Sequence, residues 1–212
     1  MDKYTQPNMH SSAIIVIDMQ NDFAQPGAIA EVPGSYEIKD KLVVLLNAAR
    51  AKSVPVIHVV RLYSPDGSNV DLCRKALVEA GKSIVVPHTP GADILPELKP
   101  NSAPLDYERL LKGDLQQIAP HEWVLYKPRW GAFYRTPLEA FLRDSGIDTL
   151  VFAGCNFPNC PRTSIYEASE RDFKIVLARD AMSQIYDKGM QEIGNIGVAV
   201  MTVKEIVDQY TL

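Results

Sequence analysis

The chain has 212 residues, 46% hydrophobic and 23% charged, with 15 Pro, 12 Gly and 3 Cys. That length suits one domain with a sizeable core, and the near-average composition excludes collagen-like, coiled-coil and wholly disordered chains. Twenty-two basic against 26 acidic residues give a formal net charge of -4 with no basic stripe, so no nucleic-acid partner is expected. The apolar runs fall far short of the roughly 20 residues a membrane span needs. The first ten residues, MDKYTQPNMH, hold no apolar signal region. Three cysteines form no disulfide framework, which predicts a reduced, cytoplasmic protein without a membrane partner.

The first predicted element is a strand, Ala13 to Ile17, followed by a helix over Ile38 to Ala51 with Leu42, Leu45, Leu46 and Ala49 on one face. A second strand covers Val54 to Val60. Residues 61–121 then break the rhythm, rich in Pro, Gly, Ser and Asn, and read as an insertion over the carboxyl edge of the sheet. Within it, Ser64-Pro65-Asp66-Gly67 reads as a turn, Val70 to Ala80 as a helix and Ile84 to Pro87 as a short extended piece. Further strands fall at Trp123 to Tyr126, Thr149 to Ala153, Ile175 to Ala178 and Val198 to Met201. Helices fall at Thr136 to Arg143, Arg162 to Phe173 and Lys204 to Tyr210. In the first of these, Thr136 is the expected cap, with Pro137 at the first helical position. The strands are continuously apolar instead of alternating, the pattern of a parallel sheet covered on both faces. One domain over 1–212 with an α/β, doubly wound, three-layer (Rossmann-like) fold follows.

Such sheets bind ligands beyond the carboxyl ends of their strands. Asp18 follows the first strand, Lys127 the third, and the segment Gly154-Cys155-Asn156-Phe157-Pro158-Asn159-Cys160-Pro161 the fourth. Pro161 suits the first turn of a helix, so Cys160 would sit at a helix N-terminus, where the helix dipole favours a thiolate. Asp18 could take the thiol proton and Lys127 could hold the carboxylate, with backbone amides of the tight loop facing a developing oxyanion. Singly, the cysteine reads equally as a packed small hydrophobe and the aspartate as a turn residue. Together, at three strand ends, they read as catalytic.

The same residues resemble the isochorismatase-like cysteine hydrolases, the group that includes nicotinamidases and N-carbamoylsarcosine amidase. Asp18-Met19-Gln20-Asn21-Asp22-Phe23 matches an opening Asp-x-Gln-x-Asp-Phe motif. Lys127 to Leu138 matches Lys-x-x-x-x-Ala-Phe-x-x-Thr-x-Leu, and Gly154 is followed six residues later by Cys160. The resemblance covers about residues 12 to 205. It implies a six-stranded parallel sheet with helices on both sides and an Asp18-Lys127-Cys160 triad. Cys160 would be the nucleophile, Asp18 the proton carrier and Lys127 its electrostatic partner. It also implies a cis peptide at Cys155-Asn156, oxyanion donors at the amides of Asn156 and Cys160, and a homodimer or homotetramer.

Where nicotinamidases carry a metal-binding Asp-x-His, this chain reads Arg61-Leu62-Tyr63-Ser64. No metal and no other cofactor is expected, and nicotinamidase activity is disfavoured. His58 lies in a strand and reads as a core histidine. Candidate substrate-binding residues are Phe23, Trp130, Phe157 and Arg61, the last either holding a substrate carboxylate or making a surface salt bridge. Phe133 and Cys73 read as packed residues, and Glu167 as part of a solvated or subunit-facing helix. The expected partner is a small-molecule substrate with a non-peptide C–N bond, amide or ureido, cleaved through a thioester. The alternatives are vinyl-ether hydrolysis, which needs no thiol, and a catalytically silent binding protein of the same fold.

Overall fold

In chain order the elements are β1 (Ser12–Ile17), α1 (Asn21–Ala24), α2 (Lys39–Ala51), β2 (Val56–Val60), α3 (Leu72–Glu79), α4 (Tyr107–Leu111), β3 (Gln116–Ala119), β4 (Glu122–Tyr126) and α5 (Leu138–Asp144). They continue with β5 (Thr149–Gly154), α6 (Cys160–Ser169), β6 (Lys174–Met182), α7 (Asp187–Asn195), β7 (Ala199–Met201) and α8 (Val203–Thr211). These come from a computed structural model that describes residues 3–211. None of the described helices is long and apolar enough to cross a membrane.

The sheet runs β3-β4-β2-β1-β5-β6-β7. Six strands are parallel, and the seventh, β3, pairs antiparallel with β4 at the edge. The expected six-stranded sheet is therefore corrected to seven. Gln116-Gln117-Ile118-Ala119 has one buried side chain, so it offers no apolar run to read. β3 also shows that the 61–121 segment contributes a strand to the sheet.

The core has two halves. On one face of β1, Ile14 and Val16 pack with Leu42, Leu45 and Leu46 of α2 and Val203 and Ile206 of α8. On the other, Ala13, Ile15 and Ile17 pack with Leu138 and Leu142 of α5, Ile165 of α6 and Ile193 of α7. The alternation of side chains along β1 thus feeds two helical layers, and both need apolar residues.

Register decides where the site lies. Ile17 pairs with Val59 on one side and Gly154 on the other, and Val60 pairs with Tyr126. The ladder runs one residue further. Asp18 N donates to Val59 O at 2.9 Å, Lys127 N to Val60 O at 3.0 Å, and Cys155 N to Ile17 O at 3.0 Å. From β1 the chain winds outward to β2 and β4, then returns to β5 on the opposite flank. The topological switch, and with it the crevice, lies between β1 and β5.

Local differences have local causes. Strand β2 starts at Val56 because Pro55 has no N–H to give the ladder. Helix α5 begins at Leu138 with Pro137 as its cap residue, while the Thr136 hydroxyl turns back to Ala132 O at 2.5 Å. Ile84 to Pro87 forms no strand, since Val85 takes a left-handed φ of 44°.

Candidate active site

Asp18, Arg61, Cys155, Asn156 and Cys160 line one cavity at the switch point. Gly154 lets the two strands meet there: at φ 115° its Cα faces the backbone of Ile17, where no Cβ would fit. Lys127 leaves β4 two strands away and spans the end of β2 to reach β1. Its Nζ lies 2.9 Å from Asp18 Oδ2 and 3.3 Å from Arg129 O, and the residue is wholly buried. Asp18 Oδ1 is buried without a hydrogen-bond partner. A buried carboxylate oxygen left open beside a cavity is an unspent acceptor.

Cys160 is the first residue of α6, with Pro161 in the first turn. The Cys155–Asn156 peptide is cis. Among the described residues, the N–H groups of Asn156 and Cys160 donate to no acceptor. Asn156, Cys160 and Asp18 line the same cavity, so its wall includes two residues whose backbone donors are uncommitted.

Burial pushes the Cys160 thiol up to about 12, and the adjacent Asp18 carboxylate pushes the same way, against Lys127 and Arg61. The helix N-terminus alone predicted a lowered thiol. Enclosure and a neighbouring anion outweigh it, because both penalise a second negative charge. At rest the thiol keeps its proton, with the Asp18 carboxylate beside it.

The loop after β1 is anchored by Gln20. Its Nε2 donates to Arg61 O at 2.8 Å and Ala92 O at 2.7 Å, and its Oε1 accepts from Arg61 N at 2.7 Å. Asp22 accepts from Val85 N at 2.6 Å. Both residues lie in the opening motif, yet sequence reasoning assigned neither a role. Their spacing after Asp18 was the available signal.

The Isochorismatase domain family model matches residues 12–205. The chain belongs to the isochorismatase family. A protein from Arabidopsis thaliana described as a probable inactive nicotinamidase is 31% identical over 201 residues, spanning 92% of this chain and 94% of that one. A ureidoacrylate amidohydrolase from Methylorubrum extorquens is 30% identical over 196 residues, spanning 86% of this chain and 73% of that one. Among solved structures, an isochorismatase family protein from Desulfovibrio vulgaris superposes with a TM-score of 0.80 at 32% identity, covering 95% of this chain and 99% of that one.

In this isochorismatase-family chain the remaining candidates divide. Phe23 and Trp130 line the cavity. Phe157 does not: it is fully buried, edge-on to Tyr186 with ring centroids 5.5 Å apart, and Phe157 N is held by Ser183 O. Its place as a substrate wall is corrected to a core position under α7. Arg61 lines the cavity and pairs with Asp71, and that salt bridge is buried where a surface one was the expectation. Phe133 stacks on Phe173 in the core. Cys73 is exposed, not packed, because α3 buries none of its residues. Glu167 is half-buried and accepts from Phe133 N at 2.9 Å, which ties α6 to the loop after Lys127. Gly131 lies against that carboxylate, where a Cβ would clash. His58 Nε2 sits 2.7 Å from Glu122 Oε1. Among the described residues, no three His, Cys, Asp or Glu gather as a metal site requires. Residues to which the sequence reading gave no role, Tyr63, Asp71 and Arg74 among them, also line the cavity.

Proposed function

We propose that the protein is a cysteine hydrolase that cleaves a small non-peptide C–N bond, amide or ureido, through a thioester at Cys160. The observation that carries this is the buried Lys127–Asp18 pair at 2.9 Å, with the second Asp18 oxygen free of any hydrogen bond and the residue lining the same cavity as Cys160. Relatives named for ureidoacrylate and for N-carbamoylsarcosine support the bond type.

As Cys160 Sγ attacks the carbonyl carbon, its proton passes to Asp18. The carbonyl oxygen becomes an oxyanion, met by the N–H groups of Asn156 and Cys160. Collapse breaks the C–N bond, and Asp18 returns the proton to the departing nitrogen, leaving the acyl group on sulfur. Water then gives a proton to Asp18 and attacks the thioester. The acid leaves and the sulfur takes its proton back. Lys127 keeps the Asp18 charge in place through both halves.

A homodimer or homotetramer in the cytoplasm is part of this proposal, and sedimentation at 23.5 kDa would refute the assembly. The decisive experiment assays ammonia release from a panel of primary amides and ureides with the parent protein, Cys160→Ala and Cys160→Ser. Turnover that vanishes in both variants, with an acyl adduct on Cys160 of the parent trapped by acid quench, is the expected result. Full turnover in either variant removes the proposal. Absence of any turnover or adduct in the parent favours a catalytically silent binding protein.

A further inference from the structure

Two carboxylates, Asp18 and Asp71, and two guanidinium groups, Arg61 and Arg74, line the cavity, and Lys127 behind its wall claims one of the carboxylates. Asp18 serves Lys127. Asp71 serves Arg61: the Arg61 guanidinium and the Tyr63 hydroxyl both donate to Asp71 Oδ2. Arg61 is almost wholly enclosed, and its Nε has no hydrogen-bond partner. Burial alone would lower its pKa, but Tyr63, Asp18, Asp71 and Cys160 together hold it above the usual value, so it stays charged beside the thiol.

Arg74 has no such carboxylate. It stands in the first turn of α3, half-buried, and lines the same cavity. Among the described residues it makes no ion pair, and its guanidinium lies over the Phe23 ring at 5.1 Å from the centroid. Arg129 is engaged elsewhere, with Nε 4.0 Å from Asp71 Oδ1 and Nη1 on the carbonyls of Asn69 and Pro128. The contact with the Phe23 face holds the Arg74 fork beside the cavity, and no carboxylate among the described residues pairs with it. A neutral ligand would shut this cation away from water without a partner, which is costly; a carboxylate would satisfy it and face the Arg61 charge as well.

We propose that the substrate carries a carboxylate near its scissile C–N bond, held by Arg74 and Arg61, and that Arg74 sets the preference for anionic over neutral amides. The inference rests on the cysteine-hydrolase reading.

Iodoacetate and iodoacetamide differ by a carboxylate against a neutral amide, and both alkylate thiols by displacing iodide. The ratio of their rate constants at Cys160, divided by the ratio for free N-acetylcysteine, reads the charge preference without turnover. Peptide mass mapping separates Cys160 from Cys73 and Cys155. The normalised ratio should exceed one by on the order of tenfold, the weight of a charge-assisted contact. It should fall toward one in Arg74→Gln and recover in part in Arg74→Lys. A ratio near one in the parent, or a raised ratio that Arg74→Gln does not move, overturns the inference. The underlying reading fails separately, if Asp18→Asn leaves the iodoacetamide rate and its pH profile unchanged. Absence of labelling at Cys160 by either reagent removes both.

Discussion

Two buried ionic clusters sit at opposite ends of the same sheet, and they are finished differently. At the amino end, Glu122 takes Arg50 at 2.8 and 2.9 Å and His58 at 2.7 Å, so both its oxygens are satisfied and one atom of the group, His58 Nδ1, is left without a partner. Arg50 closes the group by donating to Leu98 O at 2.6 Å. At the carboxyl end, Asp18 Oδ1, Arg61 Nε and Asp71 Oδ1 are all buried without a hydrogen-bond partner, and all three residues line a cavity. The amino-end cluster satisfies its carboxylate in full, and none of its residues lines that cavity. A cluster that handles a ligand keeps some donors and acceptors open and carries the desolvation cost that follows.

Substitution should separate the two ends, first and most strongly through activity. Asp18→Asn removes the proton carrier and should lower turnover by about 10³-fold or more, as loss of a catalytic group in a coupled unit does. It also strands the buried Lys127 charge. The double variant Asp18→Asn/Lys127→Met should therefore regain stability in urea titrations while staying inactive. A double variant that works, or one less stable than Asp18→Asn alone, would erase the contrast.

Glu122→Gln should show the reverse pattern. Breaking a buried, paired charge should cost about 3 kcal/mol of stability, while the folded fraction keeps its turnover per molecule. Burial pushes the Glu122 carboxyl up, but the hydrogen bonds from Arg50 and His58 outweigh it and hold the group below its usual value of 4.5. A depressed carboxylate stabilises the fold above the unfolded pKa and loses that contribution as pH falls through the folded one. Urea midpoints of the parent should then drop below about pH 4.5, more steeply than those of Glu122→Gln.

Thiol titration gives a smaller effect with a definite sign. Cys160 in the parent should alkylate ever faster as pH rises past the free-thiol range, since burial and Asp18 both hold its proton. Asp18→Asn removes the neighbouring anion and should lower the apparent thiol pKa. Lys127→Ala removes the neighbouring cation and should raise it. Shifts in the same direction in both variants would contradict the geometry.

The smallest expected effect concerns Phe157. Phe157→Leu should cost about 1–3 kcal/mol as a core change and leave KM nearly alone. A rise in KM without loss of stability would return this ring to the cavity wall.

Much of this was legible beforehand. Continuous apolar runs marked the six parallel strands, because a strand buried on both faces has no polar side to show. Residues that follow strand ends pointed to Asp18, Lys127 and Cys160, because a parallel sheet turns its strand ends toward one edge. β3, with its single buried side chain, left no such trace.

By itself, then, the order of residues determined the layering, the motifs and the groups offered for chemistry, all set by periodicity and by short-range spacing. Tertiary structure alone decided which groups meet and in what state of charge. Asp71 and Arg74, inside an irregular stretch, reach the cavity only because α3 folds over the switch point. The Cys160 thiol sits beside Asp18 in an enclosed space, so burial and a neighbouring charge reversed what its helix position favoured. Distances across strands and exclusion of water arise from packing between segments far apart in the chain, and no local pattern encodes them.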